Sequence, residues 1–190
     1  MSESPATPIF SQAFELASLI KTEALAAAVA RRAVAGDVIA LSGGLGAGKT
    51  AFARGFIRAR PGGDEIAEVP SPTFTLVQVY DLPGAPVWHF DLYRLARPED
   101  AWELGLEEAM SEAISLIEWP ERLGTLLPQA RLDVRLAPGV AADVRTAELT
   151  GHGRWGAALA FCACIIPGSM PAAAVVNGQQ VTDSSWSFMV

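Results

Sequence analysis

The sequence predicts an α/β three-layer sandwich with a mixed sheet and β-hairpin additions. Three observations lead there. Apolar, β-branched runs alternate with helical patterns along most of the chain. A glycine-rich octet separates one buried strand from one amphipathic helix. The middle of the chain carries two alternating strands joined by a short Pro-Gly turn. At 190 residues the chain suits a single domain, placed at 1–162, with 163–190 as a weakly ordered C-terminal extension.

The elements follow in order. Residues 11–35 read as a short strand around Ala13–Leu16, then a helix from about Thr22 to Val34 with Thr22 as N-cap. DVIALSG has no helical period and is bounded by glycines, as a buried parallel strand should be. KTAFARGFIRAR gives a helix that buries Phe52, Phe56 and Ile57 and turns Arg54 and Arg58 outward. After the turn-rich PGGDEIAEVPSP, TFTLVQVYDL and VWHFDLY form a β-hairpin across LPGAP. Residues 98–112 are an acidic helical piece interrupted near Gly105, and ISLIEW is an apolar strand ending at Pro120. RLDVRLA and VRTAELT are two antiparallel edge strands, and a last helix starts near Gly153. Trp88, Trp102 and Trp155 are assigned to the core.

Composition narrows the function classes. The chain is 51% hydrophobic and 18% charged, which supports a packed core rather than a disordered acidic chain. A net charge of −7 repels phosphate backbones and argues against tight stand-alone nucleic-acid binding. Cys162 and Cys164 are too few and too close for a zinc site or a disulfide framework, so the compartment reads as reducing and cytoplasmic. MSESPATPIF lacks the basic-then-apolar layout of a signal peptide. The apolar run AALAFCACII falls short of the roughly 18 residues of a membrane span and is cut by PGSMP, so no membrane association is expected.

Gly43-Gly44-Leu45-Gly46-Ala47-Gly48-Lys49-Thr50 satisfies G-x-x-x-x-G-K-[ST], the phosphate-binding P-loop. Backbone N–H groups must converge on phosphate oxygens, which side chains would obstruct, and glycine also reaches positive φ. The following helix points its first amides at the same anion. Lys49 supplies charge to the β- and γ-phosphates and the Thr50 hydroxyl is a Mg²⁺ ligand. Lysine occurs only at positions 21 and 49, which argues against surface decoration.

The absence of any lysine after Lys49 excludes the N-K-x-D guanine reader, which favours ATP. Asp81-Leu82-Pro83-Gly84 matches D-x-x-G but falls in the hairpin turn. Phosphoryl-transfer chemistry also needs acids at strand ends. Asp91 follows VWHF and Glu118 follows ISLI; the structural alternative for each is a salt bridge to Arg94 or Arg122. Ser71-Pro72-Thr73 lies where a γ-phosphate sensor would sit. His89 shares a strand face with Asp91 and either touches the site or is a core histidine. Trp119 packs in the core or lids the nucleotide.

GGLGAGKT, SPTFTLV, HFDLYRL and LIEWPERLG, in this order and at these gaps, resemble the bacterial TsaE (YjeE) ATPases over roughly residues 12–160. The resemblance implies a P-loop NTPase-like fold and an ATPase that supports the threonylcarbamoyl modification of adenosine in tRNA. It implies TsaD and TsaB as partner proteins, with the tRNA held mainly by them. It implies that the loop residues Gly43 to Ala51 and Trp119 lie at the nucleotide, that Lys49 and Thr50 meet phosphate and Mg²⁺, and that Glu118 is a Mg²⁺ ligand. It further implies that Asp91 is needed for hydrolysis and that Thr73 belongs to a switch-like loop. The family loop usually reads GDLGAGKTT, so Gly44 and Ala51 depart from it, which implies slower hydrolysis. A non-catalytic nucleotide-sensing module and a small-molecule kinase are the competing readings.

Overall fold

The computed structural model describes residues 10–160, 173–176 and 179–181. In chain order these form β1 (Phe10–Leu16), α1 (Leu19–Ala30), β2 (Val38–Ser42), α2 (Lys49–Arg58), β3 (Val77–Tyr80), β4 (Val87–Asp91), α3 (Leu106–Glu112), β5 (Ile114–Glu118), β6 (Leu132–Pro138), β7 (Arg145–Gly151), α4 (Arg154–Ala160), β8 (Ala173–Val176) and β9 (Gln179–Val181). Three 3₁₀ segments, Gly63–Glu65, Pro98–Leu104 and Pro120–Leu126, complete the described elements.

The strands make one mixed sheet of nine, ordered β3-β4-β5-β2-β6-β7-β1-β8-β9. Its centre, β4-β5-β2-β6, is parallel. β3 adds antiparallel on one flank and β7, β1, β8 and β9 on the other. Strand residues alternate between two cores. Ile39, Leu41, Ile114, Leu116 and Val87 face α1 and α2, whereas Val38, Phe90 and Ile117 pack with Leu106 and Ala109 of α3. This is the expected α/β sandwich, a P-loop NTPase-like arrangement.

α1 and α2 both descend from the C-terminal edge of the parallel strands, so their N-termini share that edge. Gly55 makes their approach possible: a Cβ there would lie 2.9 Å from Glu23 Cα. Gly55→Val is therefore expected to lower stability by about 1–3 kcal/mol through overpacking, read as a fall in the urea midpoint at unchanged m-value.

Several expectations need correction. α1 begins at Leu19 with Ser18 as N-cap, its hydroxyl accepting from the Lys21 amide, and Thr22 is buried one turn later. In that first turn Leu19 and Ile20 are 54% and 74% exposed. The helix also ends earlier, at Ala30. β1 extends beyond the expected Ala13–Leu16 and pairs with β7 over Phe10–Leu16. The strand expected over TFTLVQVYDL shortens to Val77–Tyr80, since Leu76 takes φ 64° and its amide donates to Pro72 O, curling residues 72–76. β6 and β7 are not edge strands: β6 pairs with β2 and β7 with β1. Trp155 is buried, but Trp102 is 46% exposed and does not belong to the core.

The hairpin turn at Asp81–Gly84, the break at Gly105 (φ 80°) and the helix after Gly153 stand as expected. Cys162, Cys164 and most of the 163–190 extension lie outside the described residues. No helix among the described residues is long and apolar enough to cross a membrane.

Candidate functional site

β2, β4 and β5 end side by side. In the parallel register Asp91 of β4 and Leu41 of β2 both stand opposite Glu118 of β5. The Leu92 amide donates to Glu118 O and the Trp119 amide to Leu41 O, which ties the three strand ends together. Everything predicted for the site converges on this edge, the usual ligand position in open α/β sheets.

The loop after β2 returns tightly over that edge. Gly43 has φ 133° and a Cβ there would lie 2.2 Å from Leu136 O, so only glycine fits. Gly46 (φ 74°) and Gly48 (φ 108°) also occupy the left-handed half of conformational space, but would-be Cβ atoms there meet nothing within 4 Å. Gly48 caps α2 without a side-chain hydrogen bond, which leaves the first-turn amides of this 10-residue helix for another acceptor. Gly44 is neither crowded nor at positive φ. Nothing in its surroundings explains why glycine rather than aspartate stands there.

Lys49 is 5% exposed. Its ammonium donates to Gly43 O (2.7 Å) and Gly44 O (2.9 Å) and lies 3.8 Å from the Trp119 ring centroid. Burial lowers its pKa below the ordinary lysine value, opposed by the charges of Glu118, Asp91 and Glu121. Trp119 holds a left-handed backbone conformation, φ 60°. Such a residue persists only where its surroundings enforce it. Here Tyr93 packs on the indole with centroids 4.9 Å apart.

Glu118 is 2% exposed. It accepts the Thr50 hydroxyl at 2.9 Å on Oε1, with Oε2 at 3.3 Å. His89 Nε2 lies 2.9 Å from the same Oε1. Asp91, 4% exposed, holds a different set. Its Oδ2 accepts Ser71 Oγ (2.6 Å) and Thr73 Oγ1 (2.7 Å), and its Oδ1 accepts the Tyr93 amide (3.1 Å). The expected alternative partners, Arg94 and Arg122, are not used. Arg94 lies instead 4.5 Å from the ring centroid of Phe74, which is 83% exposed.

The donor set fits a nucleotide with Mg²⁺. Mg²⁺ takes hard oxygen ligands, typically one or two carboxylates with phosphate oxygens and water rather than an all-protein cage. A hydroxyl against a buried carboxylate supplies that pair, and among the described residues no cluster of three or more His, Cys, Asp or Glu side chains forms a cage.

Sequence reasoning left His89 undecided, and the structure places it in the site. It missed Tyr93, whose amide and ring both engage site residues. The signal was its position two residues after Asp91, where a chain leaving a strand folds back.

Comparison with known proteins follows the same lines. The family model for threonylcarbamoyl adenosine biosynthesis protein TsaE matches residues 16–146. A "tRNA threonylcarbamoyladenosine biosynthesis protein TsaE" from Rickettsia bellii is 43% identical over 116 residues, covering 61% of this chain and 79% of the relative. The Bacillus subtilis protein of the same name is 38% identical over 115 residues, covering 60% and 70%. The crystal structure of Bacillus subtilis YdiB superimposes with a TM-score of 0.64 at 30% identity, covering 80% of this chain and 93% of that one.

Proposed function

The chain belongs to the TsaE family of threonylcarbamoyl adenosine biosynthesis proteins, and from that premise we propose that it is a Mg²⁺-dependent ATPase whose turnover serves tRNA threonylcarbamoyladenosine formation through partner proteins. The observation that carries the reading is the meeting of Lys49, Thr50, Asp91 and Glu118 at one strand edge beneath a glycine loop.

The loop amides and the first turn of α2 receive the phosphates. Lys49 exchanges its carbonyl acceptors, Gly43 O and Gly44 O, for phosphate oxygens. Thr50 and Glu118 would hold Mg²⁺, which when bound would neutralise phosphate charge. Asp91 keeps Thr73 and Ser71 over the same edge and orients the attacking water. TsaD and TsaB type proteins gate the reaction and hold the tRNA, in keeping with the net charge of −7. A cytoplasmic location belongs to the same reading.

The test is ATP hydrolysis by the purified chain with Mg²⁺, alone and with TsaB, TsaD and substrate tRNA. A low basal rate that rises with the partners is expected. ATP binding without turnover in either setting would leave a nucleotide-sensing module, and no binding would end the reading. Lys49→Met is expected to weaken ATP binding about 10–100-fold, the equivalent of roughly 1.5–3 kcal/mol for hydrogen bonds to a charged group, measured by titration calorimetry.

A further inference from the structure

We propose that His89 is a positioning residue for Glu118: it occupies Oε1 and thereby presents Oε2, together with the Thr50 hydroxyl, to the divalent cation that accompanies the nucleotide. The inference rests on the ATP and Mg²⁺ reading above and deepens it, since it adds a residue that touches neither nucleotide nor metal.

His89 is fully buried on β4. Strand alternation puts it on the face it shares with Val87 and Asp91, turned toward α2, and Glu118 shares the corresponding face of β5 with Ile114 and Leu116. The imidazole Nε2 therefore meets Glu118 Oε1 across the sheet at 2.9 Å. The other ring nitrogen, Nδ1, is buried and has no hydrogen-bond partner.

From this asymmetry we assign a proton to Nε2. A neutral imidazole has one N–H and one bare nitrogen. With the proton on Nδ1, an N–H would be buried without an acceptor, and the Nε2 lone pair would face a carboxylate oxygen. Both arrangements are unfavourable. With the proton on Nε2, the ring donates to Glu118 and only a lone pair is left unpaired.

Oε1 then accepts two donors, from His89 and from Thr50, each at 2.9 Å, whereas Oε2 has only the 3.3 Å contact to Thr50. The second oxygen is the one left with lone-pair capacity for a further partner. A second-layer hydrogen bond of this kind orients a metal-binding group, and its loss typically costs 10–100-fold in metal affinity. A purely space-filling histidine would behave differently, because a ring of similar size without the donor would replace it at no cost to the metal.

The experiment uses the full chain with a non-hydrolysable ATP analogue and Mn²⁺, free Mn²⁺ being followed by electron paramagnetic resonance. His89→Phe keeps the ring and removes the donor, and is expected to weaken Mn²⁺ binding about tenfold or more. His89→Gln, whose amide reaches where Nε2 lies, is expected to restore most of that affinity. Analogue binding in EDTA should be the same for both variants and the unaltered chain.

Unchanged Mn²⁺ affinity in folded His89→Phe overturns the proposal, as does equal impairment in His89→Gln. Should His89→Phe fail to fold, His89→Gln decides: near-normal Mn²⁺ affinity supports a donor role, and a tenfold loss overturns it. Failure of the unaltered chain to bind the analogue with Mn²⁺ would overturn the nucleotide reading itself, an outcome distinct from any difference between variants.

Discussion

Asp91→Asn is expected to lower ATP turnover by about 10²–10⁴-fold, the range for removing a positioned proton acceptor, while ATP affinity changes little. The carboxylate stands at the end of β4, opposite Glu118 in the register, and is buried. It collects two hydroxyls on Oδ2 and a backbone amide on Oδ1. An amide of the same shape keeps much of this network, because the hydroxyls of Ser71 and Thr73 can rotate to accept as well as donate. What it removes is the negative charge, and with it the ability to orient and deprotonate a water. Single-turnover rates and analogue affinity, measured side by side, separate the two effects. Turnover within a few-fold of normal would mean that Asp91 only anchors the 70–73 loop and that hydrolysis runs through another group. Thr73→Val should have a smaller effect on the same readout, since it removes one of the three donors and leaves the charge in place.

Gly43→Ala is expected to abolish measurable nucleotide binding and to lower stability by about 1–3 kcal/mol, occasionally more, as overpacking of a closed site does. A methyl group at Gly43 would stand 2.2 Å from the Leu136 carbonyl oxygen, and the backbone there has φ 133°, so neither a rotamer change nor a side-chain shift relieves the conflict. The loop must move, and β2 must move away from β6 with it. Gly44→Asp makes the contrast. That position is open and not at positive φ, so the substitution should leave the melting temperature unchanged. Scanning calorimetry and titration calorimetry on the two variants check both statements. A Gly43→Ala protein that binds ATP normally would show that the loop adapts more freely than its geometry implies.

The legible part of this protein was local. Continuous apolar runs marked β2 and β5, the hairpin pattern marked β3 and β4, the spacing of Phe52, Phe56 and Ile57 marked the buried side of α2, and the octet from Gly43 to Thr50 announced its chemistry because every residue type in it answers a short-range requirement. Two carboxylates at strand ends, Asp91 and Glu118, were identifiable for the same reason. Where local signals pointed the wrong way, a distant partner had decided the matter. β6 and β7 read as edge strands because nothing in their own pattern states that β2 and β1 flank them. The shortened β3 read as longer because the turn at Leu76 depends on Pro72 and on the Asp91 amide, which donates to Leu76 O.

The sequence by itself therefore determined the binding loop, the helix behind it and the types of group available for chemistry. Tertiary structure decided which groups meet: that Asp91 takes Ser71 and Thr73 rather than an arginine, that Tyr93 packs on Trp119, and that the His89 ring meets Glu118. The physical reason is that propensity and periodicity act over one or two turns of chain, whereas sheet order is selected by burial summed over strands far apart in sequence. A site assembled at the ends of three parallel strands belongs to the second kind of information.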